Sequence, residues 1–131
     1  QRTLEDYSDY VEIARNAGAG ETLDRIIPEI YNEAMFPGTA MLYSFPSYVY
    51  SLWQEYSVEE LEYIASFCKE KGIPAATVYW EYWSEETEKI FEKNGISLYV
   101  YTVNDRDQAR RYISQGAEGI CTDFLTAEDL W

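Results

Sequence analysis

Apolar positions along this chain follow two alternating rhythms. One is a short run of β-branched and aromatic residues, as a strand requires; the other is a recurrence every three or four places, as a helix requires. Thr3 and Asp6 are placed to cap a first helix, with Leu4, Tyr7, Val11 and Ala14 at helical spacing and Gly18 and Gly20 closing it. Residues 25–31 form an apolar run interrupted by Pro28, which fits an edge strand or one near the end of a sheet. Residues 32–42, with Pro37-Gly38 inside, predict a turn-rich connection holding a single helical turn. Residues 48–53 predict a second strand, ending at Gln54.

The second half of the chain is more regular. Ser57 and Glu60 make a capping box, and the helix behind it places Leu61, Ile64, Ala65 and Cys68 on one face before Lys71-Gly72 ends it. Residues 75–80 predict a third strand. Ser84 opens a helix whose inner side carries Ile90 and Phe91, with Gly95 as its stop. Residues 96–103 read as a fourth strand. Asn104 and Asp105 follow, with Gln108 at cap-box spacing, and the helix then turns Ala109, Tyr112 and Ile113 inward until Gly116. Residues 119–122 make a fifth strand ending at Asp123, and residues 126–131 form a tail with another helical start. Gly72, Gly95 and Gly116 thus each end a helix that a strand follows, at intervals of about twenty residues, which predicts successive βα units and a parallel sheet. Such strands fit an open doubly wound sheet or part of a barrel. No glycine-rich phosphate turn follows any strand, which disfavours a nucleotide fold.

Composition narrows the partners. The net charge of -14 argues against nucleic acid and anionic membrane surfaces, and no apolar run approaches a membrane span. A substrate phosphate would be repelled unless a bound cation reversed the local field. Two cysteines, Cys68 and Cys121, are too few for a disulfide framework and read as reduced core thiols, which leaves the compartment open. The sequence contains no histidine, the commonest general base and metal ligand. Beginning at Gln1 without a signal-like segment, it reads as a piece of a longer protein.

Two motifs near the C-terminal end carry a resemblance. Tyr101-Thr102-Val103-Asn104, a helix, and then Gly116-Ala117-Glu118-Gly119-Ile120-Cys121-Thr122-Asp123 resemble the last two barrel strands of the glycerophosphodiester phosphodiesterase family. Tyr101 stands where the family usually has tryptophan, and Glu118 where it has aspartate. The resemblance implies an α/β fold: residues 1–131 as the C-terminal part, about five βα units, of a TIM-barrel, PLC-like phosphodiesterase domain whose N-terminal strands are absent. It also implies a hydrolase of lipid and glycerol metabolism, cleaving glycerophosphodiesters to glycerol 3-phosphate and an alcohol with a divalent cation (calcium or magnesium) and two histidines. The cation carboxylates and histidines belong to the first three strands of the family and have no match here. The fragment alone is therefore expected to be inactive and to bind no cation, with the missing N-terminal part of the barrel as its partner.

Residues at strand ends are the candidate substrate wall. On the resemblance, Tyr101 packs against the glycerol moiety; its alternative is packing in the barrel interior. Asn104 either bonds substrate or caps the following helix, the cap being favoured. Asp123 either orients a polar neighbour or bonds backbone amides, a structural role being favoured. Tyr31, Gln54, Glu29 and Glu81 occupy similar strand-end positions without a motif. Glu59, Glu60, Glu85 and Glu86 are explained by helix first turns, and Trp80, Tyr82 and Trp83 are expected to be buried between helix and strand. The competing reading is a non-catalytic binding module that closes its exposed strand edges and apolar inner face with a second copy of the chain. An independent Asp/Glu hydrolase finds no supporting pair.

Overall fold

Twelve segments of regular structure alternate along residues 3–130, the part of the chain that the computed structural model describes. Residues up to Tyr50 and residues from Ser51 form two compact units. In the first, α1 (Leu4–Asn16) begins at a full capping box: Thr3 Oγ1 accepts the Asp6 N–H at 3.2 Å and Asp6 Oδ2 accepts the Thr3 N–H at 2.7 Å. Its buried residues, Tyr7 and Val11, are one turn apart. A 3-10 helix (Gly20–Arg25) leads to β1 (Glu29–Ile30), then come α2 (Met35–Leu42) and β2 (Val49–Leu52). β1 and β2 pair in parallel, Glu29 opposite Val49 and Ile30 opposite Tyr50. Val11, Leu23 and Phe45 make the core cluster, with Ile26, Leu42, Tyr43 and Tyr48 packed on it.

Two expectations change here. The strand anticipated over residues 25–31 shrinks to two residues, because Pro28 has no N–H to give a ladder; only its carbonyl takes part, accepting the Val49 N–H at 3.1 Å. The single helical turn expected within 32–42 is instead an eight-residue helix. Pro37 is its third residue, where a backbone N–H has no partner within the helix, so its missing donor costs nothing. Gly38 lies against Leu4, where a Cβ would come within 2.7 Å of the Leu4 side chain.

The second unit contains α3 (Val58–Lys71), β3 (Ala75–Tyr79), α4 (Glu85–Lys93), β4 (Ser97–Tyr101), α5 (Arg106–Ser114), β5 (Gly119–Ile120) and α6 (Ala127–Leu130). Ser57 caps α3 through a box with Glu60, and Gly72 ends it at φ 68°, a left-handed turn that a side chain would strain. Ser84 caps α4 and Asp105 caps α5. β3 and β4 pair in parallel over five residues, Ala75–Ser97 to Tyr79–Tyr101, and β4 and β5 over two. Along β3 and β4, Ala76, Val78, Leu98 and Val100 are buried, while the alternate positions Thr77, Tyr79, Tyr99 and Tyr101 are only half-buried. The buried set meets the helix layer, whose inner faces carry Leu61, Ile64, Ala65 and Cys68 on α3, Thr87, Glu88 and Phe91 on α4, and Ala109 and Tyr112 on α5. Ile90 and Ile113, expected inward, are only partly covered. The half-buried face is hydroxyl-bearing and aromatic rather than the apolar face expected from sequence. Cys68 and Cys121 are both thiols.

Strand order is β1-β2-β3-β4-β5, each neighbour following the last in sequence. A doubly wound sheet reverses order at its switch point; a barrel does not. The strand order is therefore that of five successive βα units of a TIM-barrel fold. No helix among the described residues is long and apolar enough to cross a membrane.

Candidate functional site

In a parallel sheet the carboxyl ends of all strands lie on one edge, so the loops that follow β2, β3, β4 and β5 collect side chains without long-range design. Within the second unit this edge is tied together by hydrogen bonds. Asn104, after β4, accepts at Oδ1 from the Asp123 N–H and the Thr122 hydroxyl, both at 3.0 Å, and donates from Nδ2 to Asp123 Oδ2 at 2.8 Å. The helix cap anticipated for Asn104 is supplied by Asp105, whose Oδ1 accepts the Gln108 N–H at 2.8 Å. Asn104 is free of that duty because its side chain turns across to the β5 loop. Asp123 has one carboxylate oxygen on Asn104; it orients a polar neighbour rather than bonding backbone amides through its side chain.

Tyr101 closes β4. Its ring meets Tyr79, the registered residue of β3, edge to face at 5.9 Å, and its hydroxyl donates to the Leu52 carbonyl at 3.4 Å. The Trp80 N–H donates to the Tyr101 carbonyl at 2.8 Å, so the ends of β2, β3 and β4 are joined through Tyr101. Gln54 and Glu81 are both exposed and lie on one cleft, described below. In the first unit, Tyr31 donates a short hydrogen bond to Glu29 Oε2 at the end of β1. The structure thus brings Asn104 together with Asp123, Gln54 with Glu81, and Tyr31 with Glu29.

The cleft, of about 250 Å³, opens between the loops after β2 and β3. Of the three aromatic residues expected to be buried there, Tyr82 is 37% exposed and Trp83 is half-buried. The Trp83 indole N–H donates to Glu88 Oε2 at 2.9 Å, and its ring packs edge-on to Tyr112 at 5.2 Å. Burial pushes the Glu88 carboxyl above its ordinary range, against the indole hydrogen bond, and the carboxylates of Glu118 and Glu92 add to the rise. Glu60 is held below the usual range by the Ser57 backbone N–H and hydroxyl. The sequence reading missed Tyr79, Thr122, Glu55 and Tyr56. Tyr79 was legible as the period-two partner of Thr77; the others depend on loop paths that no local pattern encodes.

No group of three His, Cys, Asp or Glu side chains among the described residues is placed to hold a metal. A divalent cation does not fit the described residues of this chain.

The family model described as the glycerophosphoryl diester phosphodiesterase family matches residues 39–127, more than half of the chain. No curated protein matches the sequence. Among solved structures, a protein from Silicibacter pomeroyi assigned as a glycerophosphoryl diester phosphodiesterase superposes with a TM-score of 0.66 at 16% identity, over 94% of this chain and 43% of its own. A phosphodiesterase from Oleispira antarctica, solved with the product sn-glycerol-3-phosphate, superposes with a TM-score of 0.65 at 12% identity, over 97% of this chain and 46% of its own. A glycerophosphodiester phosphodiesterase from Parabacteroides distasonis gives 0.59 at 19% identity, over 94% and 50%. At these identities the likeness shows the fold. The chain spans about half the length of each of these structures.

Proposed function

Because the chain belongs to the glycerophosphoryl diester phosphodiesterase family, we propose that it is the C-terminal half of a barrel that hydrolyses a glycerophosphodiester to glycerol 3-phosphate and an alcohol. On this reading it supplies a wall of the substrate pocket, and the acid, the base and the divalent cation's ligands come from the strands that complete the barrel. The observation that supports it most is the Asn104–Asp123–Thr122 network. It joins the two motifs that resemble the family, at the strand edge where barrel chemistry is done. Asn104 acts here as a positioning residue: with both polar atoms of its amide engaged, it fixes Asp123, whose second oxygen is left for a substrate hydroxyl. Tyr101 and Tyr79 offer an aromatic surface to the glycerol carbons, and Gln54 extends the wall from β2; Tyr31, paired with Glu29 at the end of β1, is a candidate substrate contact of the first unit.

The chain contains no histidine, so it cannot by itself provide the imidazole acid and base that the resemblance implies. The test is hydrolysis of a glycerophosphodiester by this chain alone and by a parent that includes the completing strands, each with and without added divalent cation. Activity confined to the cation-supplied parent supports the proposal; turnover by the chain alone overturns it. In an active parent, Asp123→Asn is expected to raise KM more than it lowers kcat, since a wall residue contributes mainly ground-state binding. A second reading, a module closed by another copy, draws on the half-buried hydroxyl and aromatic face of β3 and β4. Light scattering separates the two: a stable dimer that does not take up the completing strands favours the module.

A further inference from the structure

β1 is the end strand on one side of the sheet, and the peptide groups on its outer edge are already taken by a side chain. The Pro28 carbonyl points to β2, where it accepts the Val49 N–H at 3.1 Å. Across the planar Pro28–Glu29 peptide the Glu29 N–H points the opposite way, and the Glu29 carbonyl follows it. No strand among the described residues lies beyond β1. The Tyr7 hydroxyl stands there instead, accepting the Glu29 N–H at 2.8 Å and donating to the Glu29 carbonyl at 3.1 Å. We propose that Tyr7 is a placeholder on this edge: its hydroxyl holds Glu29 until the strand that leads into α1 in the complete barrel takes both bonds and seats its apolar side chains in the groove alongside.

The occupant follows from the order of the elements. From β1 to β5 each strand lies beside the one before it, with a helix between them in sequence. α1 runs into β1 in the same way, through the 3-10 helix. A strand ahead of α1 would cross over to the outer side of β1 and run parallel to it. It would meet Glu29 with one peptide carbonyl and one N–H, the two functions that the phenol combines in a single oxygen. The number of hydrogen bonds is conserved in that exchange, so burial decides its direction.

The groove supplies the burial. It has a volume of about 460 Å³ and is lined by Tyr7, Tyr10, Ile26, Ile27, Glu29 and Val49. Ile27 is 57% exposed and Tyr10 42%, large apolar surfaces that an added strand would cover. Glu29 brings the one charge of the lining, and its carboxylate accepts the Tyr31 hydroxyl. An uncharged, β-branched strand fits such a seat better than a charged one. Until that strand arrives, the phenol denies the edge to a second copy of the chain. The inference rests on the proposed barrel for its occupant, but not on the barrel's activity.

The test is amide exchange at Glu29, read by NMR in the chain alone and in the parent that includes the completing strands, each with and without Tyr7→Phe. In the chain alone the substitution is expected to speed exchange about tenfold, through the loss of one backbone hydrogen bond. In the parent it is expected to change nothing, because the added strand holds the N–H there. Ile27→Lys is expected to leave the melting temperature of the chain alone nearly unchanged and to lower the parent's by several degrees. Faster exchange in the Tyr7→Phe parent would make Tyr7 a permanent bond of the edge, and equal melting shifts would seat the strand elsewhere; either overturns the proposal. Protection of Glu29 that rises with concentration in the Tyr7→Phe chain, and is absent from the dilute parent, would assign the edge to a second copy and overturns it too. A parent with the expected exchange pattern but no hydrolysis of a glycerophosphodiester leaves the placeholder standing and removes the phosphodiesterase reading; an active parent with faster exchange does the reverse.

Discussion

Residues 3–50 and residues 51–130 solve the same problem, holding a parallel strand against a helix, with different materials. The second region relies on repetition: serine and aspartate caps, helices stopped by glycine, and two strands paired over five residues above an aliphatic layer. The first region has a two-residue β1 and a small cluster of Val11, Leu23 and Phe45, against which Ala14, Ile26, Leu42, Tyr43 and Tyr48 pack. It makes up for its short ladder with a side chain. The Tyr7 hydroxyl accepts the Glu29 N–H at 2.8 Å and donates to the Glu29 carbonyl at 3.1 Å, taking the place of a neighbouring strand. Where a strand is too short to satisfy its own backbone, one buried phenol can do so.

The comparison can be broken most forcefully at the two cores. Phe91→Ala empties a fully buried position under α4 and is expected to cost about 3–5 kcal/mol in urea denaturation. Phe45→Ala is expected to cost about 3 kcal/mol or less, because its ring is at the edge of its cluster and Tyr43 and Tyr48, 5.3 and 6.1 Å away, can close in. Equal losses would mean the first region is as tightly packed as the second. Next, Tyr7→Phe removes both hydrogen bonds to Glu29 and leaves two backbone groups unsatisfied. About 1–3 kcal/mol is expected, with faster amide exchange at Glu29; unchanged exchange would show that β1 does not depend on Tyr7.

The smallest effects are in pH dependence and sharpen the description of the second region. Glu60 has a folded pKa below its unfolded one, so it stabilises above the ordinary carboxylate range and that contribution is lost as pH falls. Glu88 has a raised one, so its burial is least costly in acid and opposes folding increasingly as pH rises through the raised value. Glu60→Gln should therefore lower the melting temperature near neutral pH and converge with the parent in acid. Glu88→Gln, which keeps an acceptor for the Trp83 indole, should match or exceed the parent near neutral pH and lose that advantage in acid.

The regular half of the molecule was readable because its signals are local. Ser57 with Glu60, Ser84, Asp105 with Gln108, and the glycines at 72, 95 and 116 each act within one turn of chain, and β3 and β4 announce themselves by composition. The helix over Met35–Leu42 was hidden because Pro37 and Gly38 look like breakers unless one knows that the proline falls in the first turn. The site was legible as a list of strand ends but not as an arrangement. Asn104 and Asp123 are nineteen residues apart, and only the pairing of β4 with β5 reveals that one side chain answers the other. The cleft is assembled from two loops, and neither loop by itself carries a pattern that would give it away.

The Asn104 contacts also bear on how this edge could be rebuilt. Three hydrogen bonds from a single amide make the loops after β4 and β5 one exchangeable part rather than two. A graft that moved the β4 loop into another barrel without residues 122–123 would carry an orphaned asparagine and leave a slack aspartate behind. Transplanted as a pair, the loops would bring their own scaffold with them, and new recognition could be selected at the tips without disturbing the joint beneath.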